Sequence, residues 1–219
     1  MQSYLANTLI IDSANNSIIE LAESLTKGLT SDRDKAITLF YFVRDQIKFN
    51  PYSPGEQLEY NKASVVLERG HGFCYQKAIL LVALARAAGI PARLHFSTIR
   101  NHRLSKEFLR RMFGSNILVS HGYAELYLDY KWVGATPAYD RYMCQENGFI
   151  STEFDGIHDA KLAPTDLYGQ PHIEYLDDHG HFEDFPWDFI IDSHIAFITG
   201  LGIDVSEFSR RWETNIGRH

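Results

Sequence analysis

Cysteine, proline and excess positive charge are all scarce in this sequence. Its 219 residues include two cysteines (Cys74 and Cys144) and seven prolines, and 28 acidic side chains outweigh 21 Lys and Arg, giving a formal net charge of −7. Two thiols cannot build a disulfide framework, which points to a reducing compartment, the cytoplasm, and to a core without covalent staples. The acidic balance argues against nucleic acid or an anionic membrane as the main partner. No apolar run approaches the ~20 residues of a membrane span. The longest candidate, Ala78 to Ala88, is interrupted by Arg86. Residues 1–12 have no basic start and carry Asn7 and Asp12 where a secretory leader would be apolar, so no leader is expected. Internal repeats, linker-like tracts and low-complexity runs are lacking too.

What is present is an ordinary globular composition, 45% apolar, 13% aromatic and 22% charged, which excludes disordered, collagen-like and coiled-coil chains. At this length one domain can bury roughly 70–75% of its unfolded surface. The expectation is a single domain over 1–219, with a core at about 31–140 and an elaboration at about 141–219.

Four helices are predicted in the first half. Asn15 to Lys27 places Ile18, Ile19, Leu21, Ala22 and Leu25 at helical spacing, and Gly28 follows as a stop. Ser31-Asp-Arg-Asp34 has a capping pattern and opens a second helix to about Ile47. Asn50–Lys62 reads as a loop and Ala63–Glu68 as a short helix. The fourth helix, about Cys74 to Ala88, is apolar almost all round and should be buried centrally. Gly89 and Pro91 end it. Ala92–Thr98 is a predicted strand, Asn101–Phe113 a helix-prone surface insertion. Asn116–Leu128 and Lys131–Thr136 form a hairpin around Asp129-Tyr130. From Pro137 onward the chain reads as loop-rich, with a last helix at Phe189–Gly200.

Gly72-Phe-Cys74-Tyr-Gln-Lys-Ala78 opens the buried helix. A cysteine there meets free backbone N–H groups and the positive end of the helix dipole, both of which favour its thiolate. The same N–H groups can hold a developing oxyanion. His121, at the head of the strand His121-Gly-Tyr-Ala-Glu125, is the type of base that forms a thiolate–imidazolium pair with such a cysteine. Either residue alone is more often structural. Cys144 lacks a histidine in its own motif and reads as structural, and His71 reads as a loop residue near the site. Tyr75, Tyr123, Tyr139, Tyr142 and Trp132 flank the chemistry in sequence and either line a groove or pack. The tract His172, Glu174, Asp177, Asp178, His179, His181, Glu183, Asp184 contains ligand types for a metal but no compact ligand motif, so a solvated acidic loop is the simpler reading. No metal or cofactor is expected.

The Gly-x-Cys-x-x-x-Ala block, Ala87-Ala-Gly-Ile-Pro-Ala-Arg93, the His-led strand ending in Glu125 and Lys131-Trp132-Val133 together resemble the transglutaminase-like superfamily, as does Tyr41-Phe-Val-Arg44-Asp45-Gln-Ile47 upstream. The resemblance spans roughly Ser31 to Asp140. It implies an α+β, papain-like fold in which a buried Cys-bearing helix, preceded by N-terminal helices, packs on an antiparallel sheet. It also implies that Cys74 is the nucleophile and His121 the base of a catalytic triad. The family's Asp-Pro after the tryptophan is replaced here by Thr136-Pro137. The third member is therefore either Thr136 or Asp140 four residues on, with Asp155 and Asp159 next in line. The implied activity is cysteine-dependent acyl transfer or hydrolysis on an amide or peptide substrate, as a cysteine protease, amidase or acyltransferase. The alternative is a weakened module that keeps the fold for binding.

Overall fold

The structure is a computed structural model and describes residues 1–206. After a 3-10 turn at Gln2–Leu5 come α1 (Asn16–Thr26) and α2 (Asp32–Gln46), then β1 (Lys48–Phe49), a second 3-10 turn at Leu58–Asn61, α3 (Ala63–Arg69), β2 (His71–Gly72) and α4 (Cys74–Ala87). The second half holds β3 (Ala92–Asn101), α5 (Lys106–Arg111), β4 (Ile117–Leu128), β5 (Lys131–Ala135), α6 (Arg141–Asn147), β6 (Ile173–Phe182) and α7 (Trp187–Gly200). β1 and β2 make one small parallel pair, and the main sheet is antiparallel in the order β5-β4-β3-β6.

Local chemistry sets these boundaries. Ser31 caps α2 by accepting the Asp34 N–H at 3.3 Å, and Asn15 caps α1 through the Ser17 N–H at 3.0 Å. Asp129 and Tyr130 both take positive φ (47° and 67°), the twist a two-residue hairpin needs to join β4 to β5. From Tyr75 to Arg86 every residue of α4 is buried. The helix can be buried all round because α1, α2 and α3 cover one side while Ala124, Leu126 and Leu128 of β4 cover the other.

Two tracts differ from the sequence reading. The acidic stretch after residue 172 is not a solvated loop but β6, paired along β3, and α6 was not anticipated at all. Their cause is tertiary. Asp178, His179 and Glu174 gain His95, Thr98 and Arg100 as partners across the β3–β6 ladder, while Glu174 and Asp178 stay open to solvent. A second, smaller core of Ile99, Ala138, Tyr139, Cys144, Phe149, Leu162 and Ile173 forms where β6 and α6 meet the sheet. Among the described residues no helix is long and apolar enough to cross a membrane.

Candidate active site

The site begins with the start of α4. Gln76, fully buried, reaches back so that its Oε1 accepts the Phe73 N–H at 3.3 Å, while its amide donates to the Pro54 carbonyl at 2.6 Å and to Asn61 at 3.0 Å. These bonds fix the first turn to the preceding loop. Cys74, in that turn, remains partly open to solvent, whereas Cys144 is wholly buried. The backbone N–H groups of Cys74, Tyr75 and Gly122 lie near the Cys74 sulfur and favour its thiolate.

Gly122 explains how the strand comes so close. A Cβ there would lie 2.5 Å from the Tyr75 Cβ and 2.9 Å from the Phe96 ring, so only glycine lets β4 meet the start of α4. His121 precedes Gly122 on β4, so the contact between Gly122 and Tyr75 brings the backbone of the His121 strand to the turn that carries Cys74. A bulge between Ser97 and Ile99 bends the neighbouring strand at the same level. Among the described residues no hydrogen bond joins the sulfur to the His121 ring.

His121 is 2% exposed and packs edge-on to Tyr175, with ring centroids 5.9 Å apart. Its Nε2 is buried and makes no hydrogen bond. Continuing the β4–β5 register past Ala124↔Ala135 sets Thr136 opposite Tyr123, diagonal to His121 on the same face. Thr136 is 1% exposed and borders the Tyr175 hydroxyl, though its Oγ1 meets the full geometry of no hydrogen bond. Asp140 is engaged elsewhere. Its Oδ1 caps α6 through the Met143 N–H (3.0 Å) and pairs with Lys48 (3.8 Å), and its Oδ2 accepts the Phe49 N–H at 2.9 Å. Asp155 is an exposed turn-former binding His158, and Asp159 accepts the Gly134 N–H at 2.8 Å.

Electrostatics differ from the expected ion pair. Burial raises the Cys74 thiol against the opposing pull of the three N–H groups, and burial lowers His121 to about 4, with Lys161 adding to the shift. The resting groups are therefore a thiol and a neutral imidazole. The Tyr175 phenol is pushed up to about 12, chiefly by burial, with the nearby Cys74 contributing.

The remaining candidates are dispersed. His71 is held by the Ser53 hydroxyl at 2.6 Å. Tyr75, Tyr123 and Tyr139 are buried, Tyr142 is exposed, and Trp132 stacks under Arg93 at 4.0 Å. No group of three or more His, Cys, Asp or Glu among the described residues is placed to hold a metal. Tyr175 and Lys161 escaped sequence reasoning, because nothing local signals that β6 and residue 161 return to His121.

The profile of the transglutaminase-like superfamily matches residues 19–137, more than half of the chain. A candidate cysteine protease from Cytophaga hutchinsonii is similar in structure, with a TM-score of 0.52 and 18% identity over 83% of this chain and 46% of that one. The periplasmic domain of TgpA from Pseudomonas aeruginosa aligns at a TM-score of 0.40 and 19% identity, over 56% of this chain and 42% of that one. The chain thus spans less than half of either solved structure. No curated protein matches the sequence. With its buried Cys-bearing helix packed on an antiparallel sheet, the chain belongs to the transglutaminase-like superfamily.

Proposed function

We propose that this protein is a cysteine-dependent enzyme acting on an amide or peptide carbonyl, with Cys74 as nucleophile and His121 as base. The observation that supports the reading is the close approach of Gly122 on β4 to Tyr75 at the start of α4, which brings the strand of His121 to the turn of Cys74. In the proposed step the sulfur attacks the carbonyl carbon while the His121 ring takes the thiol proton. The N–H groups at the start of α4 hold the oxyanion. Collapse expels the amine, which takes the proton from His121 and leaves a thioester. Water then gives hydrolysis, and a second amine gives acyl transfer.

Thr136 is our candidate for orienting His121, because its Oγ1 and the His121 Nε2 are both buried on one face of the sheet and neither meets the geometry of a hydrogen bond. Asp140 is the competitor, and its commitments to Phe49, Met143 and Lys48 favour a capping role instead. The absence of a charged orienter also favours the second reading, a weakened module that binds rather than turns over.

We read the whole chain as one domain, since Phe154, Ala160, Phe185 and Ile190 of the C-terminal half join the core built on α4. Two free cysteines suit a reducing compartment, the cytoplasm. The test is brief iodoacetamide treatment followed by peptide mapping. Cys74 should label well ahead of Cys144, and His121→Ala should slow Cys74 without unfolding the chain. Equal labelling of the two thiols overturns the enzyme reading.

A further inference from the structure

An open groove of about 640 Å³ has mostly apolar walls, formed by Leu162, Pro164, Pro171 and Ile173. It is connected to His121 through Tyr175, which lines the groove and packs against the His121 ring. Two formal charges stand on its wall. Glu174 is compensated, pairing with Arg100 at 2.5 Å and lying 3.5 Å from His102. Lys161 has no such partner. Its Nζ sits over the faces of Tyr175 and Tyr123, 5.3 and 5.5 Å from their centroids, and among the described residues it forms no ion pair.

The nearby carboxylates are otherwise occupied. Asp178 binds His95 at 2.6 Å and Asp159 binds the Gly134 amide at 2.8 Å. Lys161 and His121 therefore bracket the same two tyrosines, with His121 centroids 5.9 and 6.3 Å from them. Lys161 forms no close ion pair, and it is near enough to His121 to lower its pKa; such an ammonium on the wall of an apolar groove attracts a substrate that is anionic next to the reacting carbonyl.

We propose that Lys161 is a specificity-determining residue, selecting amide or peptide substrates that carry a carboxylate beside the scissile carbonyl and an apolar group for the groove. The inference rests on the Cys74–His121 reading. It makes Lys161 a binding group rather than a catalytic one.

Two alkylating probes test it, iodoacetate and iodoacetamide, which differ chiefly in charge. On the full chain, the iodoacetate-to-iodoacetamide rate ratio at Cys74 should exceed that of a free cysteine peptide by roughly three- to tenfold, and the excess should shrink in high salt. Lys161→Met should return the ratio to that of the peptide, Lys161→Glu should push it below, and Lys161→Arg should keep it. Circular dichroism of each variant checks the fold, and Lys161 is exposed, so little packing is lost. A Cys74 that labels ahead of Cys144 but shows the same ratio in parent and Lys161→Met overturns the charge proposal alone. A Cys74 that labels no faster than Cys144 overturns the catalytic reading, and this proposal with it.

Discussion

At the scale of single residues, Thr136 and Asp140 separate by what each can do to a proton. Thr136→Asp would put a carboxylate diagonal to His121, where it stabilises imidazolium and so the thiolate. The pH at which Cys74 alkylation sets in should fall by about one unit or more, a tenfold gain at fixed pH below the thiol's range. Thr136→Val should lower the rate without improving the profile. Asp140→Asn should leave the profile unchanged and cost about 0.5–2 kcal/mol as the α6 cap weakens, read by denaturant melts. Another histidine gives a stability test. His172 is 1% exposed, stacked on Phe149 at 4.1 Å, and neither ring nitrogen has a hydrogen-bond partner. Burial lowers it to about 4, so between about pH 6.5 and pH 4 the unfolded chain binds a proton that the native state resists. Stability falls as pH drops through that window. His172→Phe keeps the stack and removes the proton, and should gain roughly 1–3 kcal/mol at pH 4 relative to pH 8 in paired thermal melts. An equal effect at both pH values would show that packing, not charge, is responsible.

Among the elements, α4 and β4 hold the site by close approach rather than by a bond between side chains. Gly122→Ala forces a methyl group into the Tyr75 Cβ and backbone and must move one element off the other. The expected outcome is a loss of about 1–3 kcal/mol together with slowed Cys74 labelling, whereas Gly28→Ala, which adds its methyl to open space at positive φ, should cost stability without touching reactivity. Elements of this first kind were legible in the sequence. The buried helix from Cys74, the capping serine at 31 and the Asp129-Tyr130 turn each follow from local pattern, and the Cys and His blocks fall on α4 and β4, which pack together. β6 was not legible, because its Asp, Glu and His residues mimic a solvated loop unless β3 is alongside. The same blindness hid Tyr175 and Lys161 and left the third member of the site open between Thr136 and Asp140. Loop proximity is a property of the folded chain, not of any local window.

For the whole molecule, Arg86 ties distant stretches together. It is 4% exposed, and its guanidinium donates to the carbonyls of Ala6 (2.6 Å), Ala92 (2.9 Å) and Glu183 (2.5 Å). Arg86→Met should strip those carbonyls of donors, costing about 2–4 kcal/mol in chemical denaturation and raising hydrogen exchange in residues 1–12 and 180–186 together. Loosening at only one of the two would overturn the tie. Among the described residues the order β5-β4-β3-β6 leaves the outer side of β6 without a strand, a surface on which another chain could add one. That edge is studded with exposed Glu174, Asp177 and Asp178 and bent by two register shifts. At neutral pH the net charge of −7 keeps copies apart. That charge vanishes near the sequence pI of about 5.8, so this protein should become colloidally unstable in mild acid, with association seeded at β6 before the core has melted.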